Sequence, residues 1–342
     1  MGERVAIAGL GKMGIMHAAI VNAIPDAQIV AVADQQKQLA HHVRSLGLDA
    51  PFFPSVEEML DRTEVDAVFV CTPAAAHLSM ARACVERGVN VFVEKPLADT
   101  LENARRMVDL VESGAVVHAV GYMKGHYPLY QKMRELVRAG ALGRIHQCHC
   151  SVYLSQVFRP SKGWVYSKET SGGGIVINST SHLLYLLQWF FGAATGVFAR
   201  SRGIHSEVED VATIVLEFES GVVASIDTSW AVPGYSVEHT QILLVAEKGS
   251  LEITDDRARL YLTKADALHE QGWTEFHRSE FDRAPIDLSA EYGGEGYCNE
   301  DFDFLRCCAT GERPLVSWGD GLEVQRIIEA VYRSASEGYV RL

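Results

Sequence analysis

Apolar runs of strand length alternate with stretches of helical periodicity over roughly the first 120 residues. Val5-Ala6-Ile7-Ala8 leads into a helix-like stretch reaching about Ala23, and Gln28 to Ala33 reads as a second strand. Asp66 to Cys71 is a further strand, closing on Thr72-Pro73. Helical periodicity from Ala74 to Arg87 then precedes the run Val89-Asn90-Val91-Phe92-Val93. Another helix is expected from about Leu101 to Glu112, and Val116 to Gly121 makes a last parallel strand. Such β-branched runs lack a polar alternation, which is the pattern of strands buried on both faces. Their alternation with helices predicts an α/β fold with a doubly wound parallel sheet.

From about Arg144 the pattern changes. Strand-length runs recur at Ile145 to Leu154, Val197 to Arg202, Val211 to Phe218, Val222 to Trp230, Thr240 to Val245, Ser250 to Thr254 and Arg259 to Leu262. Glu219-Ser220-Gly221 and Glu247-Lys248-Gly249 supply hairpin turns. The expected result is a mostly antiparallel open sheet. Several of its strands are apolar on both alternations, so both faces need cover; helices can supply one and a partner subunit the other. The expected division is residues 1–122 as a nucleotide-binding domain and 123–342 as a substrate and oligomerisation domain. A last helix, roughly Leu322 to Ser336, is a candidate to pack back on the first domain.

Composition narrows the partners. With 342 residues, 48% hydrophobic and 22% charged, the chain can fill two cores. No apolar run approaches a membrane span, and the first strand begins at once, leaving no room for a signal peptide. A net charge of −13 argues against nucleic acid and anionic membranes. Seven scattered cysteines without a CxxC pair suit a reducing compartment and point to the cytoplasm. His146 to Cys150 alternates on a strand, so its histidines and cysteines do not converge on a metal, and none is expected.

The candidate chemistry begins at Gly9-Leu10-Gly11-Lys12-Met13-Gly14, between the first strand and the first helix. Glycines there permit a tight turn and bring backbone N–H groups close to a pyrophosphate at the helix N-terminus. Asp34 ends the second strand, twenty positions after Gly14, where its carboxylate can accept from both ribose hydroxyls. An acid there repels a 2′-phosphate and no arginine follows it, which favours NAD over NADP. Ligands in open α/β sheets bind outside the carboxyl ends of the strands. Glu94-Lys95-Pro96 closes the Val89–Val93 run there, which places an ammonium to meet a substrate.

A second constellation follows Ser171-Gly172-Gly173-Gly174, a triple glycine expected to form a flexible lead-in. The residues beyond Ser179 are helical in length and content. At about 100° per residue, Asn178, His182 and Tyr185 share one polar stripe on an otherwise Leu-, Trp- and Phe-rich helix. Asn178 is also a favoured N-cap type, so the stripe admits a purely structural reading.

Taken in order, these motifs resemble the glucose–fructose oxidoreductase / inositol dehydrogenase family of NAD(P)-dependent oxidoreductases. The resemblance rests on the glycine motif, Thr72-Pro73 with His77, Glu94-Lys95-Pro96, Gly172 through His182, and the terminal Ile328-Glu329-Ala330-Val331-Tyr332-Arg333-Ser334-Ala335. It implies a Rossmann domain followed by an α/β domain whose open sheet forms a homodimer or homotetramer. It also implies cofactor contacts from Gly9, Leu10, Gly11, Lys12, Met13, Gly14, Asp34, Thr72, Pro73, His77, Glu94 and Lys95. Lys95, His182 and Asn178 become the implied catalytic residues. Lys124 and, in the loop before the glycines, Arg159 and Trp164 join Asn178 and His182 as implied substrate contacts. Lys162 and Tyr166 share that loop. Two departures stand out: the family usually has Asp at the position of Asn178, and often Asp at that of Tyr185. An amide cannot hold a compensating charge for the histidine.

The implied reaction is hydride transfer between nicotinamide and a secondary hydroxyl or keto carbon of a sugar, cyclitol or nucleotide-sugar. His182 would take the hydroxyl proton and the Lys95 ammonium would stabilise the same oxygen. The alternative class is a non-catalytic NAD(P)-binding sensor on the same fold.

Overall fold

The computed structural model describes residues 2–40, 47–112, 114, 116–158, 164–281 and 295–342, the side chains of Trp164, Glu169 and Thr170 excepted. The described residues fall into two compact units. One takes in the described residues of Met1–His126 and Arg283–Gln325, the other those of Tyr127–Asp282 and Arg326–Leu342. The first unit therefore draws on two separate stretches of chain, and the unit boundary falls inside the helix Trp318–Glu337.

The first unit is built on a six-stranded, wholly parallel sheet. Its strands are β1 (Glu3–Ala8), β2 (Ala27–Ala33), β3 (Phe52–Phe53), β4 (Ala67–Val70), β5 (Asn90–Val93) and β6 (His118–Val120), in the order β3-β2-β1-β4-β5-β6. β4 is buried at every position, as its unbroken apolar run requires. Helices Lys12–Ala23, Val56–Arg62, His77–Val85 and Leu101–Leu110 connect the strands. Ser55 and Thr100 start two of these helices with side-chain oxygens accepting from Glu58 and Asn103 N–H. A helix absent from the sequence reading, Glu295–Thr310, returns to this unit. Its Cys298, Phe304 and Leu305 complete a core with Val5, Ile7, Phe69 and Phe92.

Asp303 of that helix fixes the segment after it. Its carboxylate accepts from Leu315 N–H at 2.8 Å and Arg306 Nη2 at 2.9 Å, and His126 Nε2 lies 3.4 Å away. Burial would raise its pKa, but these donors outweigh burial and hold it at about 2, below the ordinary 3.8. A depressed carboxylate stabilises the fold above its unfolded pKa and loses that contribution as pH falls through the folded one. With screening allowed for, Asp303→Asn is expected to cost about 1–2 kcal/mol at pH 7. In urea unfolding, the gap to the parent chain should close as pH drops from 3.8 toward about 2.

The second unit carries a nine-stranded sheet. Its strands are β7 (Ile145–Tyr153), β8 (Ala194–Arg202), β9 (Val211–Phe218), β10 (Val223–Ser229), β11 (His239–Ala246), β12 (Gly249–Thr254), β13 (Arg257–Leu262), β14 (Gly272–His277) and β15 (Val340–Arg341). The order is β14-β13-β12-β11-β7-β10-β9-β8-β15, with only the β7–β10 pair parallel. One face is core, including Ile214, Leu216, Ile226, Ile242, Leu244 and Leu251. Cys148 and Cys150 point into it with their sulfurs 3.5 Å apart, while His146 and His149 are exposed. Register carries Phe198, Val215, Ser225, His149 and Leu243 across the opposite face in one row. That face leaves Phe198, Val223 and Trp273 at least 40% exposed. The seven cysteines form no disulfide, and no helix among the described residues is long and apolar enough to cross a membrane.

Candidate active site

Gly9 sits directly beyond β1 with φ +92°, a conformation open to glycine. A side-chain carbon there would also press on the Cys71 carbonyl at 2.8 Å. Gly14 lies one turn into the first helix, where a Cβ would stand 1.8 Å from the Gly9 carbonyl oxygen. At Gly11 a Cβ would meet no atom within 4 Å. The helix begins on Gly11 with neither a side-chain cap nor an acid in its first turn. The first N–H groups of a helix have no intrahelical acceptor, and with no side-chain cap here a pyrophosphate can accept from them. Asp34 ends β2 half-buried. One of its oxygens accepts from Leu10 N–H and the other from Gln36 N–H, each at 2.8 Å. The carboxylate is thereby aimed along the glycine turn, and the set fits a dinucleotide. Lys12 is exposed and Met13 half-buried at the same helix start.

Two neighbouring strand ends are tied together. Thr72-Pro73 follows β4, and Glu94-Lys95-Pro96 follows β5, with the Lys95–Pro96 bond cis. His77 is 1% exposed at the start of its helix. Its Nε2 lies 2.9 Å from the Thr72 carbonyl and its Nδ1 lies 3.2 Å from that of Leu97. Burial holds its pKa below the ordinary value against the pull of these carbonyls, and the ring sits between the two turns, donating to one carbonyl at a time when neutral. Glu94 is buried. One of its oxygens accepts from the Lys95 backbone N–H at 2.9 Å and the other meets His17 Nε2 at 3.1 Å. Lys95 itself is half-buried. Lys124, on the short helical turn Met123–His126, is only 2% exposed.

In the second unit the lead-in to His182 differs from the expectation of a flexible triple glycine. Gly172 takes φ +75° to end the helical turn Lys168–Ser171, but its two neighbours are tightly packed. A Cβ on Gly173 would lie 2.0 Å from the Tyr332 hydroxyl oxygen, and one on Gly174 1.9 Å from the Glu209 carbonyl oxygen. The glycines are therefore required by close approach and fix the segment. Glu209 Oε1 accepts from Gly174 N–H, Val176 N–H and the Tyr332 hydroxyl at 2.9–3.1 Å. Burial beside this carboxylate keeps the tyrosine hydroxyl well above its ordinary pKa.

Val176–Thr180 then forms one π-helical turn before the α-helix Ser181–Phe191. Such single turns recur at functional sites. Asn178 lies inside the π turn. Its side-chain nitrogen donates to the carbonyls of Gly174 at 2.9 Å and Gly173 at 3.4 Å. A helix N-cap accepts from N–H groups at the start of a helix, so the N-cap reading of Asn178 is corrected. An aspartate could not make this donation. His182 is 6% exposed in the first α-helical turn, and Tyr185 is buried with its ring stacked on Trp189. Below them Trp230 Nε1 donates to Ser179 Oγ, and the Thr180 and Thr228 hydroxyls meet at 2.7 Å. Arg159 and Lys162 lie outside the described residues, as does the side chain of Trp164. Tyr166 donates its hydroxyl to the Gln156 carbonyl.

The sequence reading missed Glu209, His17 and Asp301. Glu209 has no motif of its own. Tyr332, which it holds, lies in the terminal run that carried part of the resemblance.

Comparison with known proteins converges on one family. The model of the oxidoreductase family with the NAD-binding Rossmann fold, GFO/IDH/MocA, matches residues 3–122. That of the GFO/IDH/MocA C-terminal domain matches residues 130–252. Among curated relatives, scyllo-inositol 2-dehydrogenase (NAD(+)) of Bacillus subtilis (strain 168) is 28% identical over 92% of this chain and 88% of its own. Myo-inositol 2-dehydrogenase of Thermotoga maritima is 26% identical over 93% and 92%. Among solved structures, GenD2 from gentamicin A biosynthesis in complex with NAD is 28% identical with a TM-score of 0.83, covering 100% of this chain and 97% of that one. Levoglucosan dehydrogenase in complex with NADH and levoglucosan reaches a TM-score of 0.90 at 22% identity, covering 100% and 99%. The chain belongs to the GFO/IDH/MocA oxidoreductase family and pairs its NAD-binding Rossmann fold with its C-terminal domain.

Proposed function

We propose that the chain is an NAD-dependent dehydrogenase that oxidises a secondary hydroxyl of a cyclitol or sugar, or runs the reverse reduction. The observation that carries this reading is Lys95, seated just past the carboxyl end of β5 in a sheet whose β1 turn and Asp34 suit NAD. Bound NAD supplies a hydride acceptor. The chain's own residues manage the alcohol oxygen. The Lys95 ammonium donates to it and stabilises the charge that develops as the C–H bond breaks. His182 takes the hydroxyl proton as general base, so one proton and one hydride leave for each ketone formed. Asn178 steadies the turn before His182, and Lys124, Arg159 and Trp164 are the residues proposed to contact the rest of the substrate. Gly9, Gly11 and Gly14, with Leu10, Lys12 and Met13, hold the pyrophosphate side of NAD, and Asp34 the adenosine ribose. Thr72 and Pro73 complete the cofactor contacts at the strand ends, with His77 and Glu94 serving that side through the turns they hold.

Reducing conditions suit the seven cysteines, so the proposed location is the cytoplasm. The exposed Phe198, Val223 and Trp273 on the open face of the second sheet support a homodimer or homotetramer through that face.

The test is absorbance at the reduced-nicotinamide band with scyllo-inositol, myo-inositol, levoglucosan and nucleotide-sugars, each with NAD and NADP. Turnover of at least one compound, faster with NAD, is expected. Tight NAD binding without turnover of any would replace this reading with the cofactor sensor.

A further inference from the structure

His17 has no part in the reaction as proposed, yet it is fully buried between two carboxylates. Its Nδ1 lies 2.8 and 2.9 Å from the two oxygens of Asp301, and its Nε2 lies 3.1 Å from Glu94. The second Glu94 oxygen accepts the Lys95 backbone N–H. An unbroken line of hydrogen bonds thus runs from the Glu295–Thr310 helix, through the first helix, to the backbone of Lys95. We propose that His17 and Asp301 are positioning residues that hold Lys95 in place through Glu94. The inference rests on Lys95 acting in catalysis.

The surroundings explain why the ring can do this. Phe69 and Phe92 wall it at ring-centre distances of 5.5 and 5.2 Å, with Tyr297 edge-on at 6.2 Å. It cannot turn without displacing that core. Glu94 faces it from the end of β5 and Cys71 from the end of β4, while Asp301 and Glu300 face it from the Glu295–Thr310 helix. Burial alone would push the imidazole pKa down, but the nearby Asp301 charge and the ring's hydrogen bonds to the oxygens of Asp301 and Glu94 hold it well above the ordinary value. An imidazolium donates from both nitrogens at once, which a neutral ring cannot do. Burial raises the Cys71 thiol to about 12 and pushes the Glu300 carboxyl well above its usual range. Removing the imidazole takes away the hydrogen-bond partner that joins the buried carboxyl groups of Asp301 and Glu94.

The test uses the full chain with NAD and whichever compound of the panel it turns over. Three outcomes are expected together. His17→Asn, whose short amide can reach Asp301 but not Glu94, lowers kcat by roughly 10²-fold, while NAD affinity and substrate KM stay within about twofold. His17→Gln, whose longer amide can donate to Glu94, recovers most of the loss. Asp301→Asn removes the group that contributes most to holding the ring's pKa up, so its kcat–pH profile shifts toward lower pH on the alkaline side; a merely structural role would leave the profile in place. Lys95→Ala serves as the reference. If it is inactive while both His17 variants keep the parent kcat, or Asp301→Asn keeps the parent profile, the positioning role is refuted and the reading of Lys95 stands. If Lys95→Ala retains activity, that reading fails and takes this one with it. A His17→Asn chain that no longer binds NAD counts against the proposal, which requires the cofactor site to survive.

Discussion

Lys95→Ala is expected to lower kcat by about 10²–10³-fold while leaving the dissociation constant for NAD nearly unchanged. The ammonium acts only as negative charge gathers on the alcohol oxygen, so its loss falls on the transition state rather than on binding. His182→Ala should cost about 10²–10⁴-fold, the usual worth of a positioned general base. On the proposed mechanism the two losses overlap rather than multiply, because Lys95 and His182 are assigned to the same hydroxyl. Steady-state kinetics of the single and double variants, alongside NAD titration, measure all of this. Unchanged kcat in either single variant would remove that residue from the mechanism.

Gly14→Ala should be the most damaging single change to the nucleotide-binding unit. Its methyl would stand 1.8 Å from a backbone oxygen of Gly9, which cannot swing aside as a side chain could. A loss on the order of 4 kcal/mol or more is expected, read as a lowered urea midpoint together with abolished NAD binding. Gly11→Ala is the contrast. Its φ of −70° suits any residue and its methyl meets nothing, so the fold should lose less than about 1 kcal/mol. That methyl would occupy the space at the helix start where phosphate belongs, so weakened NAD affinity is expected from a well-folded chain. Parallel equilibrium unfolding and NAD titration separate the two effects.

Much of the fold was legible because it follows from where apolar side chains fall. The fully buried run Ala67–Val70 read directly as a parallel strand covered on both faces, and Val211–Phe218 as a strand of a mostly antiparallel sheet. The glycine motif and Asp34 were legible because their spacing is set by one turn and one crossover. The Glu295–Thr310 helix was not. It buries Glu300 and Asp301 beside Phe304, and acids in a sequence ordinarily signal the solvent side. β3 and β15 have two residues each, too few to show any period, and β14 has no buried position at all. In the second constellation, the stripe through Asn178 assumed a uniform α-helical repeat, which the π turn breaks. What Glu209, Tyr332 and Asp301 do depends on contacts 123 and 284 positions apart in the chain, which no local pattern encodes.

The split make-up of the first unit has a consequence for synthesis. While the ribosome is still adding the second sheet, Phe69 and Phe92 have been made but Phe304, which packs against both rings, has not. His17 likewise waits for Asp301. The Rossmann core therefore cannot finish closing until the Glu295–Thr310 helix has been made. A holdase chaperone acting before that point would cover the apolar surface that Phe69 and Phe92 present while Phe304 is missing.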